Sequence, residues 1–331
     1  MPRPFRFMRR SNAIDLTRMS KAFSRCLTSF VLLCVCGLAG CSLGQTHAAG
    51  QPLALPALSY VGSWGRKGTE PGKLDQPTCI ATDNIGNAYL ADAGSQFVDK
   101  FDWKGAPLLS FQDEGMKEPQ SIAVDSGGAI YVTDAARAGA VIYFPNGDHY
   151  RTLRILKHPA EEDTLSIAVE ESGTIHVLEE QMGMISTFGP NLRLVRKWQP
   201  ASVTPNTRVH PENIATGADG YLYVEDRAGN RFLRFTSDGH FVSEIAARSA
   251  GEDRKLSDQF ALFKNLIFAM DADGRTLHVW TTDGQPKLDV DLTPELGPAN
   301  RSVPPLAVSS RNELLVLDIP GTRVLRYSFN F

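Results

Sequence analysis

The residues best suited to bind a polar ligand or a metal ion stand in loops that lead into apolar segments, or at the starts of those segments. His158 and His210 each precede a proline, in the sequences HPAEED and HPENIA, and Glu212, Asn213 and Asp258 lie in similar positions. Imidazole, carboxylate and amide groups can coordinate a cation or hydrogen-bond to a polar ligand. We predict that any specific ligand is bound by these five residues.

A second set of polar residues recurs at nearly constant spacing. Six acidic residues stand 42 to 47 positions apart, each with Gly or Asn six positions before it and an aromatic residue nine or ten positions after it. We interpret the acids as structural, because every unit has one and a carboxylate can accept hydrogen bonds from the backbone of a following turn. The aromatic residues should pack between neighbouring units. The pairs are Asp92/Phe101, Asp134/Phe144, Glu179/Phe188, Asp226/Phe235, Asp271/Trp280 and Asp318/Tyr327.

The first unit, residues 77–105, shows what each repeat should form. Short runs of β-branched, aromatic and aliphatic residues at 78–82, 88–91 and 97–101 alternate with a period of two, which is typical of β-strands. A fourth run follows at 107–111. Gly or Asn at the recurrent turn position suits a positive φ. One such sheet cannot bury both faces, whereas several packed around an axis can. The sequence therefore predicts an all-β, six-bladed β-propeller with four antiparallel strands per blade.

The units resemble NHL repeats. The pattern is fullest in QPTCIATDNIGNAYLAD, EPQSIAVDSGGAIYVTD and ADGYLYVEDRAGNRFLRFTSDG, and the fifth and sixth units have lost the Gly. The resemblance covers nearly all of the chain after about residue 57. It implies a propeller whose ligands meet the channel mouth formed by the loops that enter the inner strands, and it leaves function open, because propellers host enzymes, receptors and scaffolds.

Related six-bladed proteins hold metals at this mouth. Regucalcin-like gluconolactonases use Glu, Asn and Asp, and peptidylglycine-amidating lyases, which are NHL-like, use several His. In this chain an Ala recurs in most of the inner strands, and the residues three positions before this Ala position include one acid, Glu212. Asn213 and Asp258 lie one position further along in their units. The His residues fall at different positions of the repeat and do not form a common set. We predict no metal and no cofactor, with a degenerate metal site left as an alternative. The column is Thr78, Gln120, Leu165, Glu212, Ser257 and Pro304.

The ring needs one more strand than the six units supply. The sixth unit ends at Phe331 without an outer strand, and LSYVGSW at Leu58–Trp64 resembles the outer strands of other units. We predict that this segment pairs with the last strand and closes residues 57–331 into a ring, because closure removes an open sheet edge.

Residues 1–40 have the composition of an export signal. They hold seven basic residues and one acid, followed by an apolar run at 30–40 that is too short to span a bilayer. Leu38-Ala39-Gly40-Cys41 resembles a bacterial lipobox. We predict a lipoprotein signal peptide at 1–40, lipid on Cys41, a flexible tether at 41–56 and an outer-membrane location facing the periplasm. An ordinary cleaved signal or a short anchor is the alternative, and the start stays open between Met1 and Met19.

The net charge and the cysteine content narrow the range of possible functions. The chain carries −3, and removing the +6 of residues 1–40 leaves −9, which disfavours nucleic-acid binding. Cys79 is interpreted as a small buried hydrophobic residue rather than a nucleophile. The preferred hypothesis is a lipid-anchored scaffold that binds a protein, peptide or glycan of the cell envelope at the channel mouth. The alternative is a divergent metal-dependent lactonase or lyase on the same fold.

Overall fold

Six four-stranded antiparallel sheets make up the part of the chain that the structure describes, as the repeat predicts. The structure is a computed structural model, and it describes residues 57–156, 164–201, 208–247, 255–297 and 303–331. Each sheet is one blade, and each blade presents its first strand to the central channel. The chain is therefore a six-bladed β-propeller. Residues 1–56, with Cys41, and His158 lie outside the described residues.

The first three blades follow the chain in order. Blade 1 comprises β2 (Pro77–Thr82), β3 (Ala88–Asp92), β4 (Phe97–Phe101) and β5 (Pro107–Gln112). Blade 2 comprises β6 (Pro119–Val124), β7 (Ile130–Asp134), β8 (Gly139–Tyr143) and β9 (His149–Arg154), with a short 3-10 helix at Ala135–Arg137. Blade 3 comprises β10 (Leu165–Val169), β11 (Ile175–Glu179), β12 (Met184–Phe188) and β13 (Leu194–Trp198).

The last three blades repeat this pattern, and the final one borrows a strand. Blade 4 comprises β14 (Pro211–Thr216), β15 (Leu222–Asp226), β16 (Arg231–Phe235) and β17 (Phe241–Ala246). Blade 5 comprises β18 (Leu256–Phe263), β19 (Leu266–Asp271), β20 (Thr276–Thr281) and β21 (Pro286–Asp291), followed by the one-turn helix α1 (Thr293–Leu296). Blade 6 comprises β22 (Leu306–Ser309), β23 (Glu313–Asp318), β24 (Arg323–Phe329) and β1 (Leu58–Trp64).

The predicted ring closure is confirmed. Strand β1 pairs antiparallel with β24, from Leu58 opposite Phe329 to Trp64 opposite Val324. Trp64 then packs on Phe101 of blade 1, with ring centroids 4.7 Å apart. The first and last described segments are thus joined in one sheet, and that sheet contacts the next blade.

Five of the six recurrent acids accept hydrogen bonds from backbone N–H groups, as predicted, whereas the sixth, Glu179, accepts one from the Lys197 side chain. The Asp92 carboxylate accepts hydrogen bonds from the main-chain N–H groups of Asp75 at 2.7 Å and Gln76 at 3.0 Å, and from Gly94 and Ser95 at 2.9 Å. Asp226 and Asp318 also accept from the Nε of Arg231 and Arg323, at 2.9 and 2.8 Å. These acids tie the loop entering a blade to the turn that follows its second strand.

The recurrent aromatic residues pack in the core, but the residue assigned to this position in blade 2 has to be corrected. Phe101, Phe188, Phe235, Trp280 and Tyr327 are buried, whereas Phe144 is 45% exposed. In blade 2 the buried residue is Tyr143, which pairs with Ile130 as Phe101 pairs with Ala88. The acid-to-aromatic interval is therefore nine in every blade, and the assignment of Phe144 was wrong because Phe144 lies just beyond the end of β8, where its side chain reaches solvent.

The turn before each second strand also follows the prediction in most blades. Gly86, Gly128, Gly173, Gly220 and Asn312 all have positive φ, between 58° and 91°. In blade 5 the positive φ falls on Lys264 rather than on Asn265. The two-residue connection between Phe263 and Leu266 explains the shift, because the turn is centred one residue earlier than the acid spacing implies.

The pairing of β18 with β19 changes which residue of blade 5 stands at the inner-strand Ala position. Ala81, Ala123, Ala168 and Ala215 pair with Tyr89, Tyr131, His176 and Tyr223. The equivalent residue of blade 5 is Ala261, which pairs with Phe268, and not Phe260. The residue three positions before Ala261 is Asp258. Asp258 therefore shares the column of Glu212, and this column holds two acids in adjacent blades rather than one.

Candidate functional site at the channel mouth

The inner strands of the six blades enclose a channel of about 280 Å³. An alanine from every inner strand is among the residues that line it. Neighbouring inner strands are linked by side chains: the hydroxyl of Thr82 donates to the main-chain oxygen of Val308 at 2.9 Å, and that of Thr216 donates to the main-chain oxygen of Val169 at 2.9 Å. The channel wall is thus a rigid frame for the residues at its mouth.

Glu212 and Asp258 line this channel where their strands begin. In blade 4 the register shifts between Pro211 and Asn213, and in blade 5 it shifts between Leu256 and Phe260. Such bulges leave a residue outside the regular ladder and redirect its side chain. The two carboxylates therefore come from equivalent, irregular positions of adjacent blades.

Arg227 supplies a positive charge to the mouth. Its Nη1 donates to Glu212 Oε1 at 2.5 Å, and its side chain is 69% exposed whereas that of Glu212 is 10% exposed. Arg227 directly follows Asp226, the structural acid of blade 4. The equivalent residues in the other blades are Ala93, Ala135, Glu180, Ala272 and Ile319.

Glu225 is buried behind this mouth without a hydrogen-bond partner. The residue has no exposed surface, and neither carboxyl oxygen finds a partner among the described residues. Burial raises the pKa of Glu225 to about 9, and the nearby carboxylates of Glu212 and Asp258 act in the same direction, with Arg227 opposing them. Glu225 is therefore protonated and neutral at pH 7.

Glu180 adds a fourth carboxyl group from blade 3. Burial raises its pKa above the ordinary value; a hydrogen bond from the Thr164 side chain lowers it, and Glu212 and Asp258 raise it further. Four carboxyl groups from three consecutive blades thus interact electrostatically, with Arg227 as a nearby cation. The cluster consists of Glu180, Glu212, Glu225 and Asp258, and we call it the acidic mouth.

Asn213 lines the channel but is held by the fold. Its Oδ1 accepts from Ser166 Oγ at 2.5 Å and from the Ile214 N–H at 2.8 Å, and its Nδ2 donates to the main-chain oxygen of Asp258 at 2.6 Å. These bonds link blades 3, 4 and 5. Asn213 therefore positions the acidic mouth and has little free hydrogen-bonding capacity for a ligand.

His210 lies apart from the channel lining. Its main-chain N–H donates to Asp226 Oδ1 at 2.9 Å, its main-chain oxygen accepts from Arg227, and its side chain is exposed. The structure thus brings together Glu212, Asn213 and Asp258 of the five predicted residues. It leaves His210 outside the group, and His158 is not among the described residues.

Two other described histidines, His176 and His278, are buried and hydrogen-bonded within the scaffold. His176 is buried, with Nε2 at 2.8 Å from Glu170 Oε1 and Nδ1 at 3.1 Å from Thr187 Oγ1. Nδ1 of the buried His278 lies 2.7 Å from Asp289 Oδ1. Within the described part of the chain, no three His, Cys, Asp or Glu side chains converge as ligands of one metal ion.

Cys79 is inert, as predicted. It is 5% exposed on the inner strand of blade 1, and burial raises the pKa of its thiol to about 12. Only the thiolate is a good nucleophile, so this residue acts as a small apolar side chain. The described residues also contain no helix that is both long and apolar enough to cross a membrane.

Glu180, Glu225 and Arg227 were not predicted from the sequence. A signal for them existed, because each departs from its repeat column. The residue before the structural acid is Ala91, Thr133, Leu178, Glu225, Met270 or Leu317 in the six blades, so Glu225 is the ionisable member of that column. Aligning all columns, rather than the inner-strand column alone, would have identified it.

Solved structures of the same fold are numerous, although no family model and no curated protein matches the sequence. A streptogramin B lyase structure matches with a TM-score of 0.58 and 14% identity, over 83% of this chain and 98% of that one. A protein of unknown function from Bacteroides thetaiotaomicron matches with a TM-score of 0.57 and 12% identity, over 83% and 76%. A catalytically inactive virginiamycin B lyase from Staphylococcus aureus with quinupristin matches with a TM-score of 0.54 and 12% identity, over 76% and 80%. At these identities the likeness shows the fold alone.

Proposed function

We propose that this protein is a lipid-anchored envelope propeller that binds a protein, peptide or glycan through its acidic mouth. One observation supports the proposal. The charged residues that differ from their equivalents in the other blades, the acidic mouth and Arg227, are concentrated in blades 3, 4 and 5 at one end of the channel. Residues repeated in every blade serve the scaffold, whereas residues that differ between blades are free to serve a ligand. The mouth needs no cofactor for this role, and the net charge of −9 after residue 40 argues against nucleic acid as the partner.

Affinity capture from the native envelope tests this role. The triple variant His210→Ala/Glu212→Ala/Asp258→Ala should lose partners that the unaltered protein retains. A matched control is His240→Ala/Glu171→Ala/Asp238→Ala. It removes the same three residue types from exposed turns at the end of the blades that lies away from the mouth. Equal recovery of every partner by the unaltered protein and the mouth variant, compared by mass spectrometry, would refute binding at the mouth.

The anchor has its own test. Cys41→Ala should abolish labelling of the protein with radioactive or alkyne-bearing fatty acid and should release the protein from the membrane fraction. The control is Cys79→Ala, because that thiol is buried and should leave labelling unchanged. Labelling that persists in Cys41→Ala would show that Cys41 is not the site of lipid attachment.

A divergent metal-dependent lactonase or lyase is the second candidate. Two observations favour it: Glu212 and Asp258 occupy one column of adjacent blades, and two of the solved structures similar in fold are described as lyases. A metal that binds the native state raises the melting temperature by mass action. A thermal-shift series with divalent metals, each repeated with EDTA, should therefore show a reversible rise, and no rise with any metal would reject this enzyme.

A further inference from the structure

Glu225 is placed where the scaffold has no use for a carboxyl group. Five blades have an aliphatic, thioether or hydroxyl side chain in its column, and Glu225 is buried with both oxygens unpartnered among the described residues. Burying an unpaired acid destabilises a protein, even in its neutral form. A role outside the scaffold would account for its presence.

Register and packing place Glu225 behind the two members of the acidic mouth that line the channel, Glu212 and Asp258. Glu225 on β15 pairs with Asn213 on β14, and residues that are directly opposite project from the same face of a sheet. Asn213 in turn donates to the main-chain oxygen of Asp258 at 2.6 Å. Tyr223 stands two residues before Glu225, on the same face of β15, and packs in one cluster with Phe260 and Ile267 of blade 5. Glu225 therefore lies on the side of blade 4 that meets blade 5, within electrostatic reach of the channel-lining residues Glu212 and Asp258.

Arg227 shows which chemical group the mouth accepts. Its guanidinium donates to Glu212 at 2.5 Å although most of its side chain is in solvent. An exposed ion pair of this kind contributes little to stability, so a cation from a ligand can displace it. Metal ions suit the mouth less well, because the described carboxylates do not converge on one point. Neutral hydroxyl groups of a glycan would leave the negative charge of the mouth uncompensated.

We propose that the acidic mouth binds a basic side chain, Lys or Arg, of a peptide or protein partner, and that Glu225 releases a proton to solvent when the site is occupied. Glu212 and Asp258 are the contacting carboxylates. This inference rests on the proposed function and names the ligand class. The bound cation favours the ionised form of Glu225 because opposite charges attract. The charged groups facing Glu225 are Glu212 of β14, Asp226 and Arg227 at the end of β15, and Asp258 of β18; Arg231 of β16 is bound to Asp226.

Isothermal titration of the full chain with end-blocked tri-lysine at pH 7 tests the inference. We expect binding that releases protons, detected as a difference in apparent enthalpy between phosphate and Tris buffers. Glu225→Gln keeps the size of the side chain and should bind tri-lysine without this buffer dependence. Glu212→Gln/Asp258→Asn should weaken binding about tenfold or more, because hydrogen bonds to charged groups are lost. Arg227→Ala should tighten binding by removing the internal competitor.

Two controls separate a specific site from general attraction to an acidic protein. Glu70→Gln/Glu171→Gln removes the same charge from exposed positions and should leave the affinity unchanged. Tri-lysine acetylated on every side chain should not bind. Equal affinity of the acetylated peptide, an unaffected mouth variant, or buffer dependence that survives in Glu225→Gln would each overturn the inference.

The two experiments distinguish failure of the basic-ligand inference from failure of the proposed function. An envelope partner lost from the triple mouth variant, together with no binding of tri-lysine, would overturn the basic-ligand inference and leave the proposed function standing. Tri-lysine bound by Glu212 and Asp258, together with partner capture that the triple variant does not alter, would support the ligand class and refute the proposed function.

Discussion

The neutral carboxyl of Glu225 links the stability of the propeller to pH in a direction opposite to that of most acids. A paired carboxylate has a lowered pKa in the folded state and stabilises the fold above its unfolded pKa. Glu225 has a raised pKa, from the ordinary value of 4.5 to about 9. The folded state therefore binds more protons than the unfolded state between these two values, and its contribution to stability is complete below about 4.5 and is lost as pH rises toward 9.

Glu225→Gln should remove this dependence, because an amide does not titrate. Relative to the unaltered protein, its free energy of unfolding should rise between pH 5 and pH 8 by up to about 4 kcal/mol, at about 1.4 kcal/mol for each unit of pH. Urea denaturation of both proteins at pH 5, 6.5 and 8 measures the difference. Comparing the two proteins cancels the contributions of the remaining acids. A difference that stays constant with pH would show that Glu225 is ionised in the folded state.

Tyr143 and Phe144 offer a second test with single residues. Tyr143 is buried and donates a hydrogen bond to Asp113 Oδ2 at 2.6 Å, whereas Phe144 is 45% exposed and packs on Tyr150. Tyr143→Ala should destabilise the protein by about 3 to 5 kcal/mol, as removal of large buried rings does. Phe144→Ala should destabilise it by less than about 1 kcal/mol.

Thermal or urea unfolding of the two variants side by side measures this contrast. The two residues are adjacent in sequence at the end of β8 and the substitutions remove similar volumes, so each variant serves as the control for the other. Comparable destabilisation by both would mean that the aromatic column of blade 2 is not at Tyr143.

At the scale of strands, spacing along the chain predicted most of the fold. Period-two runs and turn residues located the blades, and the unmatched outer strand of the last unit located β1. The bulges were not predictable, because an extra residue in one strand leaves the composition unchanged while it shifts every later side chain. This explains why Asp258 was assigned to the wrong column. The assignment of Phe144 failed for another reason, because two aromatic residues stand in succession at the end of β8 and the spacing did not distinguish them.

Strand β1 should be needed for the stability of the whole ring. It forms an antiparallel pair with β24, and Trp64 at its end packs on Phe101 of blade 1. Removal of Leu58–Trp64 would expose the edge of β24 and the apolar face beneath it. We expect a clear fall in melting temperature and a greater tendency to aggregate, measured by circular dichroism and light scattering.

A milder variant separates edge exposure from loss of packing. Trp64→Ala keeps the backbone of β1 and removes the contact with Phe101, so it should lower the melting temperature without promoting aggregation. A deletion of Leu58–Trp64 that melts at the same temperature as the unaltered protein would contradict closure of the ring by β1.

For the molecule as a whole, the sequence predicted the scaffold better than the site. Glu212 and Asp258 could be found because they stand near the starts of inner strands, at the channel mouth where the family resemblance places ligands. Glu225 could not be found in that way, because it belongs to a second strand and reaches the mouth through the packing of blade 4 against blade 5. Such a contact depends on how the sheets twist and stack, which local spacing does not specify.

The propeller should fold without the segment that precedes it. Each described blade contacts its neighbours around the ring, and the closing pair of β1 with β24 lies within residues 57–331. Contacts between adjacent blades supply the hydrophobic burial that stabilises repeat proteins. A chain of residues 57–331 should therefore unfold cooperatively, at the melting temperature of a chain of residues 42–331, as measured by calorimetry at equal concentration.

A chain of residues 65–331 is the matched control for that measurement. It is shortened by eight further residues and loses β1, so the boundary at 57 can be compared with one that cuts into the ring. If residues 57–331 melted as poorly as residues 65–331, the segment 42–56 would contribute to the fold itself. It would then be part of the propeller and not a tether, and the boundary between anchor and ring would have to move toward Cys41.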